Sequence, residues 1–149
     1  MAIKPDIEKY LSLPYRFDHG PTNRPAFLTD GVNCQLLAHL VVAHFGIYLH
    51  PSYRSREIYQ SERSLNIVSG EAVAGDIFLF GRRAEENPTR LHLAVMVDKT
   101  SDNHPVLIHS TVVENKVALW SLAQFQSEKR YQTLFGIKRF GGENASHYH

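Results

Sequence analysis

The sequence contains one cysteine, Cys34, and no long apolar run. One cysteine cannot form an intrachain disulfide, and it excludes a zinc site built from several cysteines. Nowhere do about 18 apolar residues follow one another, and the first ten residues lack the apolar core of a signal peptide. We therefore expect a fold that is stabilised by packing alone. We also expect a protein made in the cytoplasm without an export signal and without a membrane partner.

An excess of charge is also absent. Lys and Arg number 16 against 15 Asp and Glu, so the formal net charge is +1. A nearly neutral chain gives no electrostatic reason to expect a nucleic-acid partner. With 149 residues, 43% of them hydrophobic, the chain is long enough for one globular domain, which we assign to residues 1–140. Residues 141–149 show no periodicity, and we expect a disordered tail.

Helical patterns fill the first half of the chain and strand patterns the second. Apolar spacing predicts helices over residues 5–13 and 33–46, and a polar helix over 52–59 with Ser52 as its N-cap. Strands are predicted over residues 76–80, 91–98, 106–109, 116–120 and 133–140. This order predicts the α+β class, with N-terminal helices packed on a mostly antiparallel sheet of about five strands.

Cys34 lies at the start of the apolar helix. Asp30 and Asn33 are both good N-cap residues, and if Asn33 caps the helix, Cys34 lies in the first turn, where free amide hydrogens and the helix dipole favour a thiolate. A lone cysteine on an apolar helix is also commonly a small core residue. The position alone therefore leaves both a nucleophile and a core role open.

Two of the nine histidines lie on neighbouring predicted strands. If these strands form a hairpin with Val97 opposite Val106, Ala94 lies opposite His109, and His92 and His109 become diagonal neighbours on one face. A slip of one residue would separate them.

This pair of imidazoles could activate the thiol. An imidazole can accept the proton of Cys34 and later protonate the leaving amine, while a second polar group holds the ring in place. We therefore predict Cys34 as nucleophile, His92 as base and His109 as orienter. His39 and His44 lie five residues apart and do not share a helix face, which argues against a metal pair.

Five short segments occur in an order typical of a known family. They are Pro14-Tyr15-Arg16-Phe17 before a Gly/Pro loop, Asn33-Cys34 opening an apolar helix, Gly75-Asp76-Ile77, Leu91-His92-Leu93, and Leu107-Ile108-His109-Ser110. Together, over about residues 14–140, the chain resembles the NlpC family of bacterial cell-wall cysteine peptidases. The resemblance implies a papain-like domain in which Cys34, His92 and His109 are catalytic and Tyr15 lies near the oxyanion site.

The same resemblance implies a reaction. Members of the NlpC family cleave amide bonds in peptidoglycan stem peptides, typically between D-glutamate and a diamino acid. They act through a thioester acyl-enzyme, with no metal or organic cofactor. The family usually reads Asp-Cys-Ser-Gly, whereas this chain reads Asn33-Cys34-Gln35-Leu36. Gln35 is therefore a candidate substrate-binding residue, because it changes the polarity beside the nucleophile. Arg90 is another, since it could bind a substrate carboxylate, although a solvated charged loop is the more common explanation of such a segment.

The sequence leaves three functions open. The first is a cysteine peptidase or amidase acting on peptidoglycan fragments or related peptides. The second is an acyltransferase, transglutaminase or glutamine deamidase on the same fold, which the altered neighbours of Cys34 suggest. The third is a non-catalytic binding or immunity-type module with Cys34 in its core. Without an export signal, a phage-encoded lysin, a secretion-system effector and an intracellular amidase are all open, and the oligomeric state is not indicated.

Overall fold

A computed structural model describes residues 3–84 and 86–141. Its helices are α1 (Pro5–Glu8), α2 (Cys34–Ala43), α3 (Ser55–Gln60) and α4 (Leu122–Gln126), with 3-10 turns at Leu28–Asp30, Ser69–Glu71 and Pro88–Arg90. Its strands are β1 (Leu65–Asn66), β2 (Ile77–Gly81), β3 (His92–Lys99), β4 (Pro105–Thr111), β5 (Lys116–Ser121) and β6 (Thr133–Arg139). The predicted tail lies almost wholly outside the described residues.

The strands form one antiparallel sheet in the order β1-β6-β2-β3-β4-β5. The α+β class with helices before a mostly antiparallel sheet is therefore confirmed. The sheet has six strands instead of about five, because β1 was not predicted. Two residues are too few for an alternating pattern to be recognised.

Both faces of the sheet are buried. Ile77 and Leu79 of β2 join the core under α2, whereas Phe78 and Phe80 join a second core that includes Phe125 of α4. Successive strand residues point to opposite faces, so a strand covered on both sides reads as a continuous apolar run. The sheet is thus the middle layer, with α2 on one face and α4 on the other.

The helices differ from their predicted bounds. α1 ends at Glu8 instead of residue 13, and α2 ends at Ala43, before Gly46 with its φ of +79°. The N-cap of α3 is Arg54, so the prediction of Ser52 was wrong. The Ser52 hydroxyl instead bonds to the ring of His50, 2.7 Å away, and is not available to cap.

The β3–β4 hairpin has a bulge that the prediction lacked. Near the turn Asp98 pairs with Val106, but Val95 pairs with Ile108, so one residue of β3 is extra between these pairs. Val97 therefore does not lie opposite Val106. Beyond the bulge the predicted register holds, and it places His109 level with Ala94.

In the part of the chain that the structure describes, no helix is long and apolar enough to span a membrane.

Candidate active site

A capped helix start holds Cys34 in place. Asn33 accepts a hydrogen bond at Oδ1 from the Leu36 amide, 2.8 Å away, so the predicted N-cap is confirmed and Cys34 is the first residue of α2. The turn before it depends on Gly31, which has a φ of +106° and lies so close to Arg16 that a Cβ would approach its Cγ to 2.3 Å. The chain therefore reaches Cys34 through a turn that only glycine fits.

Cys34 opens into a cleft of about 710 Å³. His92, Tyr15, Gln35 and Arg90 line the same cleft, so four of the predicted site residues meet at the nucleophile candidate. The sulfur is within hydrogen-bonding reach of the Leu93 amide, the residue that follows His92 in β3. The start of α2 and the start of β3 therefore meet at this point.

His92 and His109 form a hydrogen-bonded pair. Nε2 of His92 lies 2.8 Å from Nδ1 of His109, which is the contact expected between a base and the residue that orients it. The ring of Tyr131 stacks on His92 with centroids 4.1 Å apart and an interplanar angle of 18°. His92 is thus held by a polar contact at one nitrogen and an aromatic contact at its face.

His109 lies in an aromatic environment behind His92. It is fully buried, with its ring centroid 4.4 Å from that of Trp120 and 4.5 Å from that of Phe125. Its Nε2 has no hydrogen-bond partner among the described residues. If His92 is to accept a proton at Nδ1, its Nε2 must donate to His109, which then carries its own proton on Nε2. An N–H group there can be accommodated by a neighbouring ring face.

The two histidines and Cys34 approach the cleft from different faces of the sheet. His92 and His109 share the face of β3 and β4 that α4 covers, as their contacts with Phe125 show. Cys34 packs against the core under α2 on the other face. The sulfur and the imidazoles therefore come together only at the end of the sheet where β3 begins.

Burial sets the charge states of these groups. Burial raises the pKa of the Cys34 thiol, although amide hydrogen bonds from Leu93, Cys34 and Gln35 and the charge of Arg54 act in the opposite direction. The amides at the helix start therefore act on the thiol in the predicted direction, and burial outweighs them. Burial also lowers the pKa of His92 to about 3 and that of His109 well below its usual value.

These pKa shifts favour a neutral thiol beside a neutral imidazole. Proton transfer from sulfur to His92 would then accompany attack on a substrate instead of preceding it.

Comparison with solved structures identifies the fold. A crystal structure of a protein from Staphylococcus aureus subsp. aureus Mu50, described as similar to lipoprotein, NLP/P60 family, superposes with a TM-score of 0.58 and 22% sequence identity. The match covers 90% of this chain. The fold is of the NLP/P60 type. This is the fold that the NlpC resemblance implied.

The likeness is structural and covers part of the other protein. Our chain corresponds to 38% of the length of the Staphylococcus aureus chain. No protein-family model and no curated protein matches the sequence. The NLP/P60-like fold is therefore established from structure, and the catalytic roles of Cys34, His92, His109 and Tyr15 stay predictions.

The two substrate-binding predictions have different surroundings on the NLP/P60-like scaffold. Arg90 is exposed at the end of a 3-10 turn and lines the cleft. Gln35 is buried, and both ends of its amide are engaged: Nε2 donates to Ser55 and Oε1 accepts from Arg54. The side chain of Gln35 is thus held by the protein, which argues against a direct substrate contact.

Several residues at or behind the cleft were not predicted from the sequence. Tyr131 follows a five-residue helix that had no periodic signal, and Arg54 and Ser55 lay within a helix treated as solvent-facing. Tyr15 is half-buried in the cleft, and burial, followed by the charge of a Cys34 thiolate, raises its pKa.

Metal ligands are not clustered in the described ranges 3–84 and 86–141. These residues contain no group of three or more His, Cys, Asp or Glu side chains that could hold a metal ion. Nε2 of His39 donates to the Tyr53 carbonyl, 2.6 Å away, and Nε2 of His44 bonds to the Tyr10 hydroxyl.

Proposed function

We propose that the protein is a cysteine peptidase or amidase that cleaves amide bonds in peptidoglycan stem peptides or related peptides. The observation that carries the proposal is the bond between Nε2 of His92, which lines the cleft with Cys34, and Nδ1 of the buried His109 behind it. This bond leaves Nδ1 of His92 as the nitrogen that can serve the thiol. The NLP/P60-like fold supports the same class of enzyme.

The proposed reaction has two halves. Sγ of Cys34 attacks the amide carbonyl while Nδ1 of His92 takes the thiol proton, and the C–N bond breaks as His92 returns that proton to the leaving amine. Water then attacks the resulting thioester as His92 takes a proton from the water, and the C–S bond breaks as His92 gives that proton to the sulfur, which releases the acid and restores the thiol. His109 keeps the His92 ring oriented throughout.

The oxyanion of each tetrahedral intermediate needs donors close to the sulfur. Amides at the start of a helix are suited to this because they have no partner within the helix. In our proposal the amides of Cys34 and Gln35, which already approach the sulfur, supply them, with Tyr15 at the edge of the same cleft.

The charge of the cleft supports an anionic substrate. Among the described residues, its lining includes Arg54, Arg82, Arg90 and Arg130 as well as the acidic residues Asp18 and Glu86. Arginine binds carboxylates well because its fork of donors matches their geometry. A stem peptide with free carboxylates next to the scissile amide would fit this excess of positive charge, and Arg90 is our first candidate for a direct contact.

The test is release of new amino groups from defined stem-peptide fragments. Cys34→Ala and His92→Ala should each lower the rate by about 10³-fold or more, because nucleophile and base act as a unit. His104→Ala is the matched control, since His104 is an exposed histidine on the β3–β4 turn, and it should leave the rate unchanged. Unchanged amine release by Cys34→Ala would remove the proposal.

Mass spectrometry of the trapped acyl-enzyme distinguishes hydrolysis from transfer. A stem-peptide thioester on Cys34 that decays to free acid supports a hydrolase. Decay only after an amine is added, or ammonia release from a protein glutamine, would instead indicate an acyltransferase, transglutaminase or deamidase.

A further inference from the structure

The residues on each side of Cys34 are tied to the strands that carry the histidines. On the C-terminal side, Nε2 of Gln35 donates to Oγ of Ser55 over 2.9 Å, and Ser55 donates to the carbonyl of Leu91 over 2.6 Å. Gln35 directly follows Cys34, and Leu91 directly precedes His92. Two hydrogen bonds through one hydroxyl therefore connect the neighbours of the nucleophile and the base.

The direction of these bonds is fixed by a cation. Nε of Arg54 can only donate, and it donates to Oε1 of Gln35 over 3.1 Å. The amide nitrogen of Gln35 must then point to Ser55, which leaves the Ser55 proton for Leu91. Ser55 is fully buried, so each bond in this series is protected from competing water.

A second tie lies on the N-terminal side. Ser110 follows His109 in β4, is fully buried, and donates to the carbonyl of Val32 over 2.7 Å. Val32 lies two residues before Cys34. The start of α2 is thus fixed at one side to the strand of His92 and at the other to the strand of His109.

We propose that Ser55 with Gln35, and Ser110, are positioning residues that set the distance between the Cys34 sulfur and the His92 ring. This inference rests on the proposed function. The sulfur packs with the core under α2 and the imidazoles with the core under α4, so no core shared by the two groups sets their separation directly. The buried hydroxyl bonds cross between the segments that carry them and supply that constraint.

Placement at this precision matters for rate more than for binding. A misplacement of about 1 Å in a reacting pair can cost on the order of 10²-fold in turnover. The side chains of the positioning residues do not touch substrate in this proposal, so their loss should lower kcat and leave KM nearly unchanged.

The first measurement is steady-state hydrolysis of a stem-peptide fragment by Ser55→Ala, Ser110→Ala and Gln35→Met. We expect kcat to fall by about 10- to 100-fold, with KM within about threefold of wild type. Gln35→Met keeps the length of the side chain and removes its hydrogen bonds, so it tests the tie even if Ser55→Ala folds poorly. Ser64→Ala is the matched control, because Ser64 is a half-buried serine that donates to the main-chain carbonyl of Ser61.

The second measurement is alkylation of Cys34 by iodoacetamide between pH 5 and 9, with and without His92→Ala. As a single substitution, His92→Ala should slow the alkylation of Cys34 at neutral pH. If the ties set the sulfur–imidazole distance, His92→Ala should have little further effect in Ser55→Ala or Gln35→Met, because the coupling is already lost. If Ser55 had only a structural role, Ser55→Ala would lower the melting temperature and leave the dependence of alkylation on His92 intact.

The outcomes separate the two proposals. If wild-type alkylation does not depend on His92 and Cys34→Ala still releases amines, the proposed function fails. If both depend on these residues as expected, but Ser55→Ala, Ser110→Ala and Gln35→Met keep the wild-type kcat and the wild-type coupling, the positioning role is overturned and the proposed function stands.

Discussion

Mild acid should unfold this protein, because three histidines are buried in forms that resist protonation. Burial lowers the pKa of His39, His92 and His109, in the case of His92 to about 3. In the unfolded chain each of them titrates near its usual pKa of about 6.5. Below that pH the unfolded state therefore binds more protons than the native state, and the free energy of unfolding falls as the pH falls.

The magnitude follows from the number of protons. Each histidine that is charged in the unfolded chain and neutral in the fold costs about 1.4 kcal/mol of stability per pH unit. His92 and His109 together give a slope of about 3 kcal/mol per pH unit below pH 6, His39 adds to it, and it lessens only as the native histidines begin to titrate. A domain of this size has about 5 to 15 kcal/mol to lose. We therefore expect acid unfolding around pH 4 to 5.

The assay is urea denaturation at several pH values from 7 to 5, followed by the fluorescence of Trp120, the one tryptophan in the chain. His39→Gln should reduce the slope, because a glutamine amide can still donate to the Tyr53 carbonyl but does not titrate. A free energy of unfolding that stays constant from pH 7 to pH 5 would refute the reasoning, as would a slope that His39→Gln does not change.

Further expectations concern the turn before α2, the buried ion pair and the cleft. Gly31→Ala should cost about 2 kcal/mol or more in thermal unfolding, because it adds a Cβ at a φ of +106° with no room for it; a variant as stable as wild type would contradict the turn geometry. Asp76→Ala should cost about 3 kcal/mol, since it leaves Arg139 without the two contacts of 2.8 and 2.9 Å and the Val73 amide without an acceptor; equal urea midpoints would contradict this. His109→Gln should lower kcat by about 10²-fold or more with little change in KM, as for other residues that orient a catalytic histidine; steady-state kinetics with unchanged kcat would exclude the orienting role. Arg90→Gln should raise KM about tenfold for a peptide with a free carboxylate but not for its amide; equal effects on both would exclude a carboxylate contact.

Much of the fold could be predicted because its signals are local. The cap at Asn33 is one residue type at one position, and the strands of the sheet are apolar runs between turn residues. The pairing of His92 with His109 could also be foreseen, since it depends only on the register beyond the bulge in β3. The predicted pairing of Val97 with Val106 was wrong, because a bulge depends on strand twist and not on side-chain pattern.

The surroundings of the site could not be predicted because they are tertiary. α4 is five residues long, and its sequence gave no sign that Phe125 would pack against His109. The bonds of Ser55 join residues far apart in the chain. The pKa of the Cys34 thiol could not be predicted for the same reason. The amides at the helix start act locally, and burial by the whole fold outweighs them.

The division of the site between the two layers of the core has a consequence for how the molecule matures. A half-assembled intermediate with α2 docked and α4 still loose would bring the sulfur to the start of β3 but leave the His92 ring without the aromatic contacts that hold it. An intermediate with only the aromatic layer in place would contain the imidazoles without the sulfur. Reactivity is therefore a property of the finished molecule, and its appearance during refolding would mark the moment when both layers have closed on the sheet.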